Sequence, residues 1–357
     1  MDLTLNNYRC FESASFKIPD TGFIILDKNG SGKTSILSAI YSLYTGKALP
    51  NTKFSEYLMS GQNYFGISTN DDNWFVNGKI GPSGRLTAKY SSPNKINSTI
   101  LTYQPNDNYW LHQSRSIKLA TLDQIIGQTN SEYLKLICSL DKVCKSKLSL
   151  LKESNIKGTN DQIMISYLGQ QILDLSKQIW ITRWAFLDSI KNHMKQFLAM
   201  INSPILDWQI QIQTTDISGN KINIQNLGKY KNQYEKVFEL QSLGNIDFDK
   251  LWQKEKICEK VLFGANRDDF NIICGKLKIE QVLSRGEIRL FVLWIKKLSI
   301  EPKNTIWLLD DIFNELDDER EQFLMSNIFK DCKQIIATGT RCSLKKLEQR
   351  SVDSLKV

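Results

Sequence analysis

The chain has 357 residues, 41% of them hydrophobic and 24% charged, which suits a globular protein with room for two domains or more. Its net charge of +8 permits contact with a polyanion without demanding it. No apolar run approaches membrane-spanning length, and two histidines, His112 and His193, are too few for His-centred nucleophilic catalysis or a multi-His metal site.

The opening, Met1-Asp2-Leu3-Thr4, reads as no signal peptide. The seven cysteines form no C-x-x-C pair and mostly lie in apolar stretches, as expected of reduced thiols in a cytoplasmic protein without membrane contact.

Residues 1 to 19 alternate, with Leu3, Leu5, Phe11, Phe16 and Ile18 as inward positions of two strands. Arg9 lies where the chain could turn back toward a ligand. Phe23-Ile24-Ile25-Leu26 is a short apolar run of the kind a strand buried on both faces uses. Asn29-Gly30-Ser31-Gly32 follows, where the backbone can take conformations a Cβ would forbid, and Lys33-Thr34-Ser35 opens a helix to about Tyr44. Strand, glycine loop and helix start form a phosphate cradle, with Lys33 toward the β/γ-phosphates and the Thr34 hydroxyl on Mg²⁺. Asp27 occupies the first glycine position of the P-loop pattern; it could repel phosphate or turn away and accept loop N–H bonds.

Short alternating strands are expected over 64–90, with turns at 70–72 and 81–84, then a strand at Thr99–Tyr103 running into Gln104-Pro105. From about Thr129 the pattern turns helical. One helix is expected over 132–151, Gly158 breaks it, and 161–200 repeats Ile165, Leu168, Ile172, Leu175 and Ile179 at three-and-four spacing, the seam of a helical pair. This short arm reads either as a lever or DNA-contacting lobe or as a helical subdomain packed for stability. A strand at 205–214, a turn at 216–220, a strand at 221–224 and a helix at 229–240 complete the middle of the chain.

Leu283-Ser284-Arg285-Gly286-Glu287 begins another helix. Ser284 is a natural N-cap, and Gly286 admits close backbone approach to a ligand. A second anion-binding helix start makes sense if it caps the γ-phosphate held by another copy of the chain. Thr305 to Leu309 is an apolar strand ending in Asp310 and Asp311. Set beside the P-loop strand, it would deliver Asp310 to Mg²⁺ and Asp311 to the attacking water. Asn314 to Asp318 precedes a helix at 320–329, and Gln334 to Thr340 is a further buried strand with hydroxyls at its end, Thr338 among them, in reach of a phosphate-bound water.

The order of these motifs resembles the ABC-type ATPases of the SMC/Rad50 class, and more narrowly the RecF family. The resemblance rests on the opening Leu3 to Arg9, on Asn29 to Ile40, on Gly264 to Phe270, on Leu283 to Glu287 and, most specifically, on Leu308 to Arg320. It implies an α/β ABC-type P-loop ATPase head, a mixed sheet with flanking helices and an antiparallel β subdomain, with an inserted helical lobe II or short arm. The expected boundaries are 1–128 for the first part of the head, 129–255 for lobe II and 256–357 for the rest. The implied catalytic residues are Asp311, Lys33, Gln104 and Thr338. Arg9, Lys28, Asn29, Gly30, Ser31, Gly32, Lys33, Thr34, Ser35, Ser284, Arg285, Gly286 and Asp317 are implied to hold ATP, and Thr34, Asp310 and Gln104 to hold Mg²⁺. The implied activity is slow, DNA-stimulated ATP hydrolysis in an ATP-dependent homodimer. That dimer would bind ssDNA and ss/dsDNA junctions and, with RecR and RecO, promote RecA loading at gaps. Glu287 for the family glutamine, Asn266 for its histidine, and Lys118-Leu119 for its paired arginines are departures. The alternatives are a nucleotide-binding scaffold without productive hydrolysis and a Rad50-type nuclease-associated ATPase; against the latter stands the absence of a long coiled coil with a C-x-x-C hook.

Overall fold

The computed structural model describes residues 1–19, 22–28, 30–50, 52–70, 74–92, 98–158, 161–205, 207–215, 221–225, 248–313, 316–339 and 353–356. The expected helix at 229–240, the turns at 71–72 and 216–220, and Asn29, Asn314, Glu315 and Thr340 lie outside them.

The chain divides into two compact units, residues 1–107 with 300–357, and residues 108–299. These limits differ from the expected 128/129 and 255/256. The helix Arg115–Gly127 and the strand Asp269–Cys274 pack with the helical insertion, so the Ser284 helix start belongs to that unit and not to the one holding the glycine loop.

In the first unit, five strands form an antiparallel sheet in the order Phe11–Lys17, Asp2–Tyr8, Tyr64–Thr69, Phe75–Ile80, Leu86–Ser91. Five more form a wholly parallel sheet in the order Asp353–Lys356, Phe23–Leu26, Gln334–Gly339, Thr305–Leu309, Thr99–Tyr103. The helix Lys33–Thr45 packs against strands of both sheets. Ile36, Leu37, Ile40 and Leu43 meet Leu3, Leu5, Phe65 and Val76 from one sheet and Phe23, Ile25, Ile306 and Ile336 from the other in a single core. That placement explains why Phe23–Leu26 and Thr305–Leu309 are buried at every position and apolar at all but Thr305, since both faces of the parallel sheet are covered. Tyr8 fastens the first strand to the helix through its hydroxyl, 2.7 Å from Ser38 Oγ in the interior.

In the second unit, Asn130 and Asp161 accept the N–H groups of Tyr133 and Met164 and so start the helices Ser131–Lys157 and Gln162–Met200; Gly158, at φ +67, closes the first. The seam residues Ile165, Ile172 and Ile179 are buried, each worth about 1.5–3 kcal/mol of apolar burial. Lys147 and Glu255 form an ion pair 2.6 Å apart that is 1% and 0% exposed, joining Ser131–Lys157 to the helix Phe248–Cys258. A four-stranded antiparallel sheet, Leu277–Lys278, Asp269–Cys274, Trp208–Thr215, Lys221–Gln225, completes the unit. The helix expected over 320–329 is instead Asp318–Phe323 followed by a π-helical turn, Leu324–Ile328.

Candidate functional site

The glycine loop leaves the carboxyl end of the strand Phe23–Leu26 and runs into the helix Lys33–Thr45. Gly30 and Gly32 hold φ of +85° and +102°, values that penalise a side chain. At Gly32 a Cβ would also stand 2.4 Å from Phe11 Cζ and 2.9 Å from Cys10 Sγ. The turn at residues 9–11 therefore presses on the loop, and Cys10 Sγ also lies 3.9 Å from Ser35 Oγ. Arg9 is set beside the loop by its neighbour. Its backbone is left-handed (φ +51°), its guanidinium lies 4.9 Å from the Tyr57 ring centre, and its Nε is buried without a hydrogen-bond partner.

Lys33 is buried, and its ammonium donates to the carbonyls of Asp27 and Lys28 at 2.9 and 2.8 Å. Two of its three protons thus fix the cation at the loop, and one is left for an anion. Asp27 turns to its own backbone: Oδ1 accepts the N–H of Lys28 at 2.6 Å. Of the two readings open for this residue, the geometry matches the second, a carboxylate engaged with a loop N–H. Ser31 Oγ is buried without a partner, and Lys28 is exposed.

The strand Thr305–Leu309 does not adjoin the P-loop strand, as the sequence suggested it would. Gln334–Gly339 lies between them, paired Leu309↔Ala337 on one side and Ala337↔Ile24 on the other. Thr338 on that middle strand bridges the gap. Its fully buried hydroxyl donates to Asp310 Oδ1 at 2.7 Å and accepts the N–H of Asp311 at 2.9 Å. The Thr34 hydroxyl donates to the same carboxylate, 3.0 Å from each oxygen. Burial raises the Asp310 pKa, the bonds from Thr338 and Thr34 oppose the rise, and the charge of Asp311 adds to it. Thr338 is thus occupied in holding the Asp310 carboxylate and the Asp311 backbone, a positioning geometry rather than one that faces a water.

Asp311 is itself left-handed (φ +49°), a conformation worth about 1–3 kcal/mol of strain, and its Oδ1 is buried without a hydrogen bond. Gln104 follows the outer strand Thr99–Tyr103, whose Tyr103 carbonyl accepts the N–H of Asp310 at 2.9 Å. The Gln104 side-chain amide meets the Pro50 carbonyl at 3.4 Å. Asp317 is exposed and caps the helix Asp318–Phe323, accepting the N–H of Arg320 at 2.8 Å and pairing with its guanidinium.

These contacts bond Thr34, Thr338, Asp310 and Asp311 together at the carboxyl edge of the parallel sheet, with Lys33 next to Thr34 at the end of the loop and Gln104 on the neighbouring strand end. A helix N-terminus and an ammonium favour a polyphosphate there. A buried carboxylate facing a hydroxyl supplies the hard oxygen donors Mg²⁺ prefers. Asp310, deprived of water and kept from ordinary acidity, gains by meeting a cation, so the residues fit the metal.

Ser284, Arg285 and Gly286 lie in the other unit, at the head of the helix Arg285–Leu298. Ser284 N–H donates to Glu287 Oε2 at 2.8 Å, and Glu287 N–H donates to Ser284 Oγ at 3.3 Å. This reciprocal box explains why Glu287 serves locally in place of glutamine, because either side chain accepts the N-cap N–H. Ser284 and Arg285 are exposed, while Ile288, Leu290, Phe291, Leu293 and Trp294 are buried. The helix start thus faces solvent and its body is anchored.

Sequence reasoning missed Arg183. This buried side chain donates to Asp123 at 2.9–3.1 Å, to the Ala265 carbonyl at 2.8 Å, and to Asp268. Asp268 also accepts from Trp180 and Thr214. Burial alone would weaken the arginine's charge, but the two carboxylates push its pKa up. A lone arginine between apolar residues in a helical repeat was the available signal.

No family model matches the chain. Curated relatives named DNA replication and repair protein RecF do. That of Acholeplasma laidlawii (strain PG-8A) is 26% identical over 352 residues, 94% of this chain and 92% of that protein. Those of Exiguobacterium sp. (strain ATCC BAA-1283 / AT1b) and Staphylococcus aureus (strain N315) are each 24% identical over 94% of this chain, covering 91% and 92% of the relatives. Two solved structures of the recombination mediator protein RecF in the RecFOR pathway share the fold at 18% identity. The ATP complex superposes with a TM-score of 0.75 over 99% of this chain and 94% of that one; for the ATPrS complex the TM-score is 0.73, over 100% and 95%. The fold is therefore that of those RecF structures, and the resemblance seen in the motifs runs through nearly the whole chain.

Proposed function

We propose that this chain, similar to RecF along nearly its entire length, is an ATP-binding DNA repair and replication protein that closes into a dimer on nucleotide and grips DNA when closed. The observation that carries the reading is the bonding of Thr34 to Asp310 across 276 positions of sequence, at the foot of a glycine loop that holds a buried lysine. Lys33 and the loop N–H groups would bind the β- and γ-phosphates of ATP. Thr34 and Asp310 would hold Mg²⁺, with Gln104 at its edge; bound there, Mg²⁺ neutralises charge on the phosphate oxygens. Asp311, its carboxylate oxygen free of a hydrogen bond, would take a proton from the water that attacks the γ-phosphorus, with ADP leaving. Asp is one methylene shorter than Glu and reaches that water less well, so turnover is slow.

The exposed helix start at Ser284–Gly286 supplies a second anion-receptive surface. In a head-to-tail pair it would meet the γ-phosphate on the opposite copy's glycine loop, and Asp317 would contact the same nucleotide. The closed pair would hold ssDNA or an ss/dsDNA junction by its phosphates, and RecR and RecO would be its partners in placing RecA at gaps. Light scattering tests the reading: mass doubles with ATP and Mg²⁺, and Lys33→Ala stays monomeric. A wild-type chain that remains monomeric with ATP, Mg²⁺ and DNA all present overturns it.

A second reading, a nucleotide-gated scaffold with no productive turnover, draws on the Thr338 hydroxyl being committed to the Asp310 carboxylate and the Asp311 N–H. Single-turnover hydrolysis with junction DNA separates the two: a rate unchanged by Asp311→Asn favours the scaffold.

A further inference from the structure

The segment Gly264–Phe270 carries two adjacent carboxylates and an arginine, yet they do not neutralise one another. Asp268 is taken by Arg183, Trp180 and Thr214. Asp269 is taken by Lys118 at 2.7 Å, a buried ammonium that also donates to the Phe270 carbonyl and Asn271 Oδ1. Gly264, at φ +103° with Ile172 2.8 Å from where a Cβ would be, fixes the segment against the long helix. Arg267 is left over. Its backbone carbonyl accepts Arg115 Nη1 at 3.0 Å, so two guanidinium-bearing residues are tied together at the head of the helix Arg115–Gly127. Among the described residues neither meets a carboxylate, and Arg267 Nε is buried with no acceptor. Burial and the Arg115 charge together depress the Arg267 pKa, the mark of a cation pair without a counter-charge. Ser114 provides no side-chain cap to this helix, and Ser114, Ser116 and Asn266 beside the arginines are exposed.

We propose that Arg115 and Arg267 form a phosphate-binding site for the backbone of a nucleic acid. An arriving phosphodiester would give Arg267 the acceptor it lacks, accept a second bond from Arg115, and relieve the repulsion between the two cations. The neighbouring helix N-terminus adds favourable potential. The frame built by Arg183 and Lys118 holds both carboxylates away from the anion, which a flexible arginine-aspartate run would not do. The site reads phosphate and not sequence.

The inference rests on the DNA-binding reading, and its test separates the two. Anisotropy of a fluorescent duplex bearing a single-stranded tail is measured with the full chain and ATP across 50–300 mM KCl. Arg115→Gln and Arg267→Gln should each lower affinity about tenfold, the order expected for losing one charged hydrogen bond. Each should also flatten the log K against log [salt] slope by about 1, equally for all sequences. Arg115→Lys and Arg267→Lys should keep most of the slope. If wild type binds DNA and Arg115→Gln/Arg267→Gln binds with the same affinity and slope, the site is refuted and the DNA reading stands. A second arm uses inorganic phosphate in a thermal shift. Protection of wild type and not of the double variant, in a protein that binds no DNA, keeps the anion site and overturns the nucleic-acid ligand. Neither DNA binding nor phosphate protection overturns both. Should Arg267→Gln unfold, Arg115→Gln alone, at an exposed helix start, decides the question.

Discussion

Replacing Thr338 by Val keeps the shape of the side chain and removes the one hydroxyl that joins the Asp310 carboxylate to the Asp311 backbone N–H. The loss has two parts. Asp310 loses a hydrogen bond to a charged group, worth about 1.5–3 kcal/mol, and the N–H of Asp311 loses its acceptor at a cost of about 1–3 kcal/mol. Both groups are largely withdrawn from water, so solvent repairs little, and an overall loss on the order of 2–5 kcal/mol is expected at neutral pH. Removing a bond that holds the Asp310 pKa down also lets it climb further, which raises the Mg²⁺ concentration needed to stabilise the protein with ATP. The assay is urea unfolding of wild type, Thr338→Val and Thr338→Ser, each with and without Mg²⁺-ATP. Serine should restore most of both effects. A valine variant within about 0.5 kcal/mol of wild type, with an unchanged Mg²⁺ midpoint, refutes the bridging role, since that difference is typical of an uninvolved surface site.

Further outcomes follow from the same geometry. Gly32→Ala should destabilise the first unit by about 1–3 kcal/mol, because its backbone is left-handed and the new methyl meets the Phe11 ring, and filter binding should show ATP retention lost. For Asp310 the folded pKa lies above the ordinary carboxylate value of about 3.9, so the folded state holds the extra proton in the window above that value. Stability without nucleotide should fall as pH rises through the window, and Asp310→Asn should be relatively more stable above it while losing all stabilisation by Mg²⁺-ATP, as read from melting curves at stepped pH. Lys147→Met should cost about 3–5 kcal/mol by leaving Glu255 charged and buried, whereas Lys147→Met/Glu255→Leu should recover most of it in urea melts. In maleimide labelling, exposed Cys10, Cys138 and Cys258 should react before Cys144, whose thiol burial pushes up to about 12, and Mg²⁺-ATP should slow the reaction at Cys10.

Much of the site was legible because its residues obey local rules. A glycine loop between an apolar strand and a helix, two acids after an apolar strand, and serine three residues before glutamate each declare themselves within a dozen positions. What stayed hidden depends on pairing between distant segments. An all-apolar parallel strand fits equally well at any interior place in a sheet, so nothing local showed that Gln334–Gly339 separates Phe23–Leu26 from Thr305–Leu309. For the same reason Thr338 read as a hydroxyl facing a ligand and not as a clasp between neighbours. The compact units divide elsewhere than the expected boundaries because Arg115–Gly127 has no strong apolar stripe to reveal its allegiance to Asp269–Cys274. Arg183 was hidden because its partners, Asp123 and Asp268, lie 60 and 85 positions away.

The parallel sheet takes one interior strand from residues 23–26 and that strand's two flanking neighbours from 334–339 and 353–356. During synthesis, then, the segment that leads into the glycine loop must wait, without either lateral partner, until residues 334–339 and 353–356 have emerged. The continuous unit at 108–299 is under no such delay and can mature on the ribosome. Premature termination before residue 334 would leave the early strand with both edges open, prone to wrong pairing, so a truncated product would be cleared or aggregate rather than persist as a partly active competitor.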